Sequence, residues 1–444
     1  MRRLAAVFAS LAALGFAPGS AGAQESGNVI FFHPDGSSAA HWAAARILEK
    51  GPDGRLNWDG LPAIGVYTGH TADSLTGSSH GGATIHAYGV KVQRDSFGMD
   101  GESPVTAASG AEMSIMAEAM AAGRAVGLVQ TGHLAEPGTA AFLASVPSRG
   151  MREAIAAQLI KSGAHVLLGG GERYLRPAGA EGVHGEGGRE DGRDLIEEAR
   201  QAGYTVVFTR EALLSLDPAA VDKLLGVFAW EDTYNDASEE ANAERGLQAY
   251  DPAAPTVAEM ARVALSILDR DPDGFFLVAE EEGTDNLSND NNASGALQAL
   301  TRADDAVGVF ADYVDADPET LLIMAADSNA SGMTLVGPSA DEMAMVAASG
   351  SLPASMRNGA PLDGVAGTGT APFESAPDAA GVTHRFGIAW SGFADVSGGV
   401  LVRAKGLNAD RVTPVMDNTE VYAVMYETLF GEAPADAAAR RGGE

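Results

Sequence analysis

The chain has 444 residues, no cysteine and a formal net charge of −31. That length supports one large domain or two to three ordinary ones with ample core, and the acidity argues against non-specific nucleic-acid binding. Without cysteine there is no disulfide framework, so stability must come from the core and from bound metal.

In chain order, Arg2 and Arg3, the apolar run from Leu4 to Phe16 and Ala21-Gly22-Ala23 form the tripartite pattern of a secretory signal over residues 1–23, cleaved before Gln24. The run is too short for a stable membrane span, and no later run is long enough to provide one. The mature protein is therefore expected to be periplasmic or secreted. Asn28 to Phe32 reads as a buried strand that breaks at His33-Pro34-Asp35-Gly36, and Ser37 to Lys50 as a helix. Gly65 to Thr68 reads as a second strand. The stretch Gly77-Ser78-Ser79-His80-Gly81-Gly82-Ala83-Thr84 then runs into a helix-like segment ending at Tyr88-Gly89. A serine there sits at a helix N-terminus, where backbone N–H groups favour an anion and a developing alkoxide. In isolation the same stretch would only cap a helix.

Val126 to Thr131 reads as a strand, followed by Gly132 to Thr139, a helical start over Ala140 to Ser145, and Arg149. Helices are expected over Arg152–Ser162, Arg193–Ala202, Pro255–Asp269, Gly295–Val314 and Glu420–Leu429. Strands are expected over His165–Leu168, Thr205–Phe208, Gly274–Ala279, Thr320–Ala325 and Gly399–Ala404. This alternation predicts an α/β fold with a mostly parallel sheet. Ala178 to Gly192 reads as a loop. Gly350 to Gly381 lacks periodicity and marks an irregular insertion at about 340–395, inside a catalytic domain spanning 24–432. Residues 433–444 read as a flexible tail.

Acids follow several strand-like runs: Asp35, then Glu280 and Asp285, then Asp327 and, more loosely, Asp395. Single acidic runs are usually solvated loops. Like charges at equivalent ends of one sheet, however, need a cation to offset their burial. On these residues the chain resembles the alkaline phosphatase family over almost all of its mature length. Asn28 to Gly36 is similar to the family's first strand and turn, and Gly65 to Lys91 to its nucleophile segment. Leu167 to Gly171, Leu195 to Tyr204 and Leu224 to Gly226 are similar to further landmarks, as are Phe275 to Asp285, Ala325 to Asp327 and Val400 to Gly406.

The resemblance implies a three-layer sandwich of helices around a central, mostly parallel sheet, and hydrolysis of phosphate monoesters through a phosphoserine. It puts the nucleophile on Ser79 and the phosphate-binding arginine on Arg149. One metal would lie at Asp35, Asp327 and Ser328, a second at Asp285, Asn289 and Asp395, and a third at Asp35, Glu280 and Thr139 or Glu136. The chain departs from the family at Ser78, where aspartate is usual, and at Asn289, Ser328 and Asp395, where zinc-binding histidines are usual. Oxygen-only sites suit calcium or magnesium, with zinc still admissible. His80 and His133 are candidates for binding substrate. His33 and His384 could also enter the site. The expected partners are small phosphate esters, with neither nucleic acid nor a membrane span, and a homodimer is compatible with the resemblance. A phosphodiesterase on the same scaffold and a non-catalytic periplasmic phosphate- or cation-binding protein are the alternatives.

Overall fold

The computed structural model describes residues 26–356 and 358–435. The signal segment, and the tail beyond residue 435, lie outside the described residues. Ten strands form one sheet. In chain order they are β1 Asn28–Pro34, β2 Ala63–Thr68, β3 Ala125–His133, β4 Val166–Gly170, β5 Thr205–Val207, β6 Leu224–Val227, β7 Phe275–Glu281, β8 Thr320–Met324, β9 Leu401–Gly406 and β10 Val415–Asp417. Across the sheet they run β10-β2-β9-β8-β1-β7-β3-β4-β6-β5. Every pairing is parallel except the two that β9 makes with β8 and β2.

The sheet is mostly parallel because its central strands are apolar on both faces, which only helices on both sides can cover. In β1, Val29 and Phe31 join one core, while Ile30 and Phe32 join the other. Phe276 and Val278 of β7 divide from Phe275 and Leu277 in the same way. The first core packs against the helices Ser79–Tyr88, Arg152–Ser162 and Asn418–Phe430, and the second against Ala39–Lys50, Val257–Leu268 and Ala293–Ala316. Each fully buried Phe or Ile contributes roughly 1.5–3 kcal/mol.

The expected α/β alternation holds, and the differences lie at element ends. β3 continues to His133, two residues past its expected end. The helix read from Gly295 starts at Ala293, where the Asn292 side chain accepts from the Gly295 N–H. The helical start read at Ala140 is a short helix over Pro137–Ala140. Within the stretch read as irregular, three two-residue strands join Thr334–Val336 and Arg385–Ala389 in a second, small sheet. Strands that short carry no periodicity to read.

One buried group links the fold to the site. His41 is fully buried; its Nδ1 accepts the Ser38 backbone N–H (3.2 Å), and its Nε2 meets Ser288 Oγ (3.2 Å). Ser288 in turn donates to the Thr284 carbonyl (2.7 Å) on the helix Gly283–Asn289. Burial pushes the pKa of His41 down to about 3. An unfolded chain takes up that proton near 6.5, so the neutral ring's contribution is complete above that pH and lost as pH falls toward 3. His41→Gln keeps a residue able to complete the N-terminal capping box but removes the titration. The unfolding free energy of the variant is expected to fall less steeply between pH 6 and 4 than that of the parent, by about 1.4 kcal/mol per pH unit. Denaturant titrations across that range check the slope.

Candidate active site

All the parallel strands end at one edge of the sheet. Because β9 runs the other way, its beginning lies at that same edge. The turn after β1 delivers Asp35, the end of β7 delivers Glu280, and the segment after β8 delivers Asp327 and Ser328. The helix Gly283–Asn289 follows β7 almost directly, so Asp285 and Asn289 lie one turn apart on one face. Asp395 arrives on the approach to β9 and accepts from Asn289 Nδ2 (3.1 Å), which also donates to Asp285 Oδ2 (2.9 Å). Asn289 Oδ1 accepts from Ser331 Oγ (3.0 Å).

Ser79 is the first residue of the helix Ser79–Tyr88. Ser78 is its N-cap, with Oγ accepting the Gly81 N–H (3.2 Å) and donating to the Arg94 carbonyl (2.5 Å). The Ser79 hydroxyl lies against Asp35 and helps to hold that carboxylate ionised. Gly82, one turn on, faces Asp327: a Cβ there would fall 2.3 Å from Asp327 Cβ. Gly36 has φ +64°, and a Cβ on it would fall 2.4 Å from Asp285 Oδ1. The turn after β1 therefore needs glycine both for its backbone and for the carboxylate beside it.

Asp35, Glu280, Glu282, Asp285 and Asp327 are all buried. Both oxygens of Glu280 and of Asp327 lack hydrogen-bond partners, as do Asp35 Oδ2, Asp285 Oδ1, Ser328 Oγ and Thr139 Oγ1. Burial, with the other acids around it, pushes Glu280 up to about 8 and holds Asp285 and Asp327 well above the usual carboxylate range. Burial and Asp35 raise Asp395 as well. Asp35 goes the other way. Burial opposes its charge, but the adjacent His33 ring outweighs that and holds it low. Partnerless buried oxygens are the signature of a place built for cations, and the donors present fit divalent ions.

The remaining candidates divide. Arg149 points at this acidic group with its side chain 41% exposed, and its NH2 donates to Glu136 Oε2 (3.0 Å). Glu136 Oε1 meets His133 Nε2 (2.7 Å), so both oxygens of Glu136 are engaged by cationic or donor groups. Burial opposes charge on His133, but Glu136 and Asp232 outweigh it and raise its pKa. His80 turns toward Asp95 (3.4 Å), and burial beside Arg149 lowers its pKa to about 4. His384 pairs with Asp378 (2.9 Å) far along the insertion. Gly138 packs on Glu280, where a Cβ would fall 1.6 Å from Oε1, and Thr139 is buried next to it. Two clusters also bring in His33, His133 and Asp232, which lie outside the expected ligand set. His33, Asp35 and Glu280 present ligand atoms within 4.8 Å of one another, and so do His133, Glu136 and Asp232. His33 was legible as a strand-end residue two before Asp35, on the same face. Asp232 had no such signal.

A mostly parallel sheet that gathers a serine at a helix N-terminus, an arginine and partnerless carboxylates at its carboxyl edge has the layout of an α/β protein that takes phosphate and cations. Residues 26–430 match the profile of the alkaline phosphatase family, and the chain belongs to that family. It is 30% identical over 338 residues to the membrane-bound alkaline phosphatase of Bombyx mori, an alignment covering 68% of this chain and 60% of that protein. It is 29% identical over 338 residues to the alkaline phosphatase of Gadus morhua, covering 68% of each. The chain thus matches only about three fifths to two thirds of these relatives' length. The crystal structure of Thermus thermophilus alkaline phosphatase superposes with a TM-score of 0.70 at 22% identity, covering 97% of this chain and all of that one. That of the Antarctic bacterium TAB5 superposes with 0.67 at 19%, covering 91% and 98%.

Gly82 gives a direct test of the carboxylate geometry. It lies inside a helix, where alanine would ordinarily be more stable by about 0.5–1 kcal/mol. Gly82→Ala is nevertheless expected to push Asp327 aside, weakening divalent-cation binding by at least about tenfold and costing roughly 1–3 kcal/mol of stability through overpacking. Calorimetric calcium titration beside a melting curve checks both parts.

Proposed function

We propose that the chain is an exported, metal-dependent hydrolase of phosphate monoesters that works through a phosphoserine at Ser79 and releases inorganic phosphate. The observation that carries this reading is the juxtaposition of the Ser79 hydroxyl, at a helix N-terminus, with partnerless carboxylates and the half-exposed Arg149 guanidinium. Export rests on the pattern of residues 1–23, and a mature N-terminus at Gln24 would accord with it.

Arg149 would clamp two non-bridging phosphate oxygens in a bidentate pair. The opening N–H groups of the helix Ser79–Tyr88 favour negative charge where Ser79 Oγ becomes an alkoxide. Ser78, committed to capping, keeps that helix start in place. Ser79 Oγ attacks phosphorus in line, the ester oxygen leaves with a proton from water, and a second water then frees phosphate from the serine. Asp35, Asp327 and Ser328 would hold one cation, and Asp285, Asn289 and Asp395 another. Bound there, divalent cations supply charge neutralisation and lower the pKa of the attacking groups. The carboxylate and hydroxyl oxygens at both positions favour calcium or magnesium over zinc; Asn289 would join them through Oδ1 on giving up the Nδ2 hydrogen bonds it makes to Asp285 and Asp395.

The purified protein is expected to turn over p-nitrophenyl phosphate. A chelator should abolish this, calcium should restore it, and zinc alone should restore little. Stoichiometric zinc without calcium in active protein would refute the hard-cation assignment. Ser79→Ala should lower turnover by several orders of magnitude with the fold intact. Acid quench with labelled substrate should trap phosphate on Ser79. Label on Ser74, Thr76 or Ser78, or full activity of the alanine variant, would overturn the mechanism.

A further inference from the structure

We propose that His33 is a nitrogen ligand, so that the centre made by His33, Asp35 and Glu280 takes a borderline transition cation of the zinc class in preference to magnesium or calcium. The inference deepens the metal-dependent reading above and rests on it.

His33 and Asp35 leave the end of β1 two residues apart, which places both on one side. The His33 Nδ1–H donates to the Ala325 carbonyl (2.8 Å). That bond fixes the ring and turns Nε2 inward, 3.1 Å from Asp35 Oδ1 and 3.8 Å from Glu280 Oε1. Histidines that bind metals are commonly held this way, with the other ring nitrogen donating to a backbone carbonyl. With bonds of about 2.1 Å, neighbouring donors on one cation stand roughly 3 to 3.4 Å apart; the His33–Asp35 spacing of 3.1 Å meets this, and the His33–Glu280 spacing of 3.8 Å requires the glutamate to close in slightly. A bare Nε2 lone pair facing two carboxylates is repulsive. Burial opposes charge on the ring, but Asp35 and Glu280 outweigh it and favour a proton on Nε2; that proton satisfies Asp35 yet leaves Glu280 Oε1 beyond hydrogen-bond reach, and a bound cation would displace it. Both Glu280 oxygens are buried without a partner, and Thr139 Oγ1 is buried and partnerless too. A cation accounts for all of these groups together. One imidazole among carboxylates shifts the preference from hard ions toward zinc.

The neighbouring group of His133, Glu136 and Asp232 lacks this need, because Arg149 already supplies positive charge to Glu136. The two catalytic positions offer only oxygens. Metal-bound nitrogen would therefore identify the His33 centre.

Metal-free protein is saturated with calcium and then titrated with zinc by calorimetry. The native chain should bind a single zinc and keep it through dialysis. His33→Ala should weaken that binding by more than the roughly 10- to 100-fold that follows loss of a residue merely supporting a ligand, whereas His133→Ala should not. Manganese-loaded native protein should show a directly bound nitrogen by electron spin-echo modulation, a reading that does not depend on any variant folding. Equal zinc affinity in His33→Ala, or manganese with oxygen donors alone, would overturn the proposal. Neither result touches the trapping of phosphate on Ser79, so failure of the hydrolase reading would be seen separately.

Discussion

The structure depends on keeping several carboxylates out of water at one end of a sheet. Asp35, Glu280, Glu282, Asp285 and Asp327 are buried within reach of one another. Isolated buried charges are costly, and like charges together are costlier. Only a rigid support can hold them at fixed spacing. The two apolar cores provide it, one on each face of the strands that end in these acids. Gly36, Gly82 and Gly138 matter for the same reason: each removes a side chain where backbone and carboxylate meet.

The chain compensates some of this charge itself, and strand alternation sorts which. Along the end of β7, Glu281 points opposite to Glu280 and Glu282. It receives a permanent partner in Arg302 (3.1 Å), whose guanidinium lies over the Tyr250 ring at 3.9 Å. Glu281 is thereby structural. Glu280 on the other face keeps both oxygens partnerless. Three consecutive glutamates thus carry two different duties, decided by the pleat.

Much of this was legible in the sequence, for physical reasons that differ by element. The long apolar runs at Val29 to Phe32 and Phe275 to Ala279 are readable because buried parallel strands need apolar residues on both faces. The helix that starts at Ser79 was readable from the glycine-rich stretch running to Tyr88-Gly89, and the left-handed Gly89 does end it. The meeting of Asn289 with Asp285 follows from helical spacing, but its meeting with Asp395 crosses 106 residues, and no local pattern announces it. Glu136 was read among the metal candidates, yet it is engaged by Arg149 and His133. That outcome depends on where β3 ends and on how the following turn folds back.

The reversed strand β9 has a consequence for how such a protein can change over time. The chain leaves the sheet after Met324 and returns at Leu401, and both points lie at the rim that carries the acids. The excursion between them is tied to the scaffold along its length as well as at its stems: the Ala376 and Ala379 N–H groups donate to the Ile47 carbonyl (3.2 Å) and to Asp53 Oδ2 (2.9 Å), and Phe373, Phe386 and Ile388 join the second core. Asp327 and Asp395 stand near its two points of attachment. Its exposed turns between these contacts can be lengthened, shortened or exchanged without disturbing a strand register, provided the two stems and the core residues survive. Those turns are where the chain can vary in length at little risk to the acids gathered at the rim.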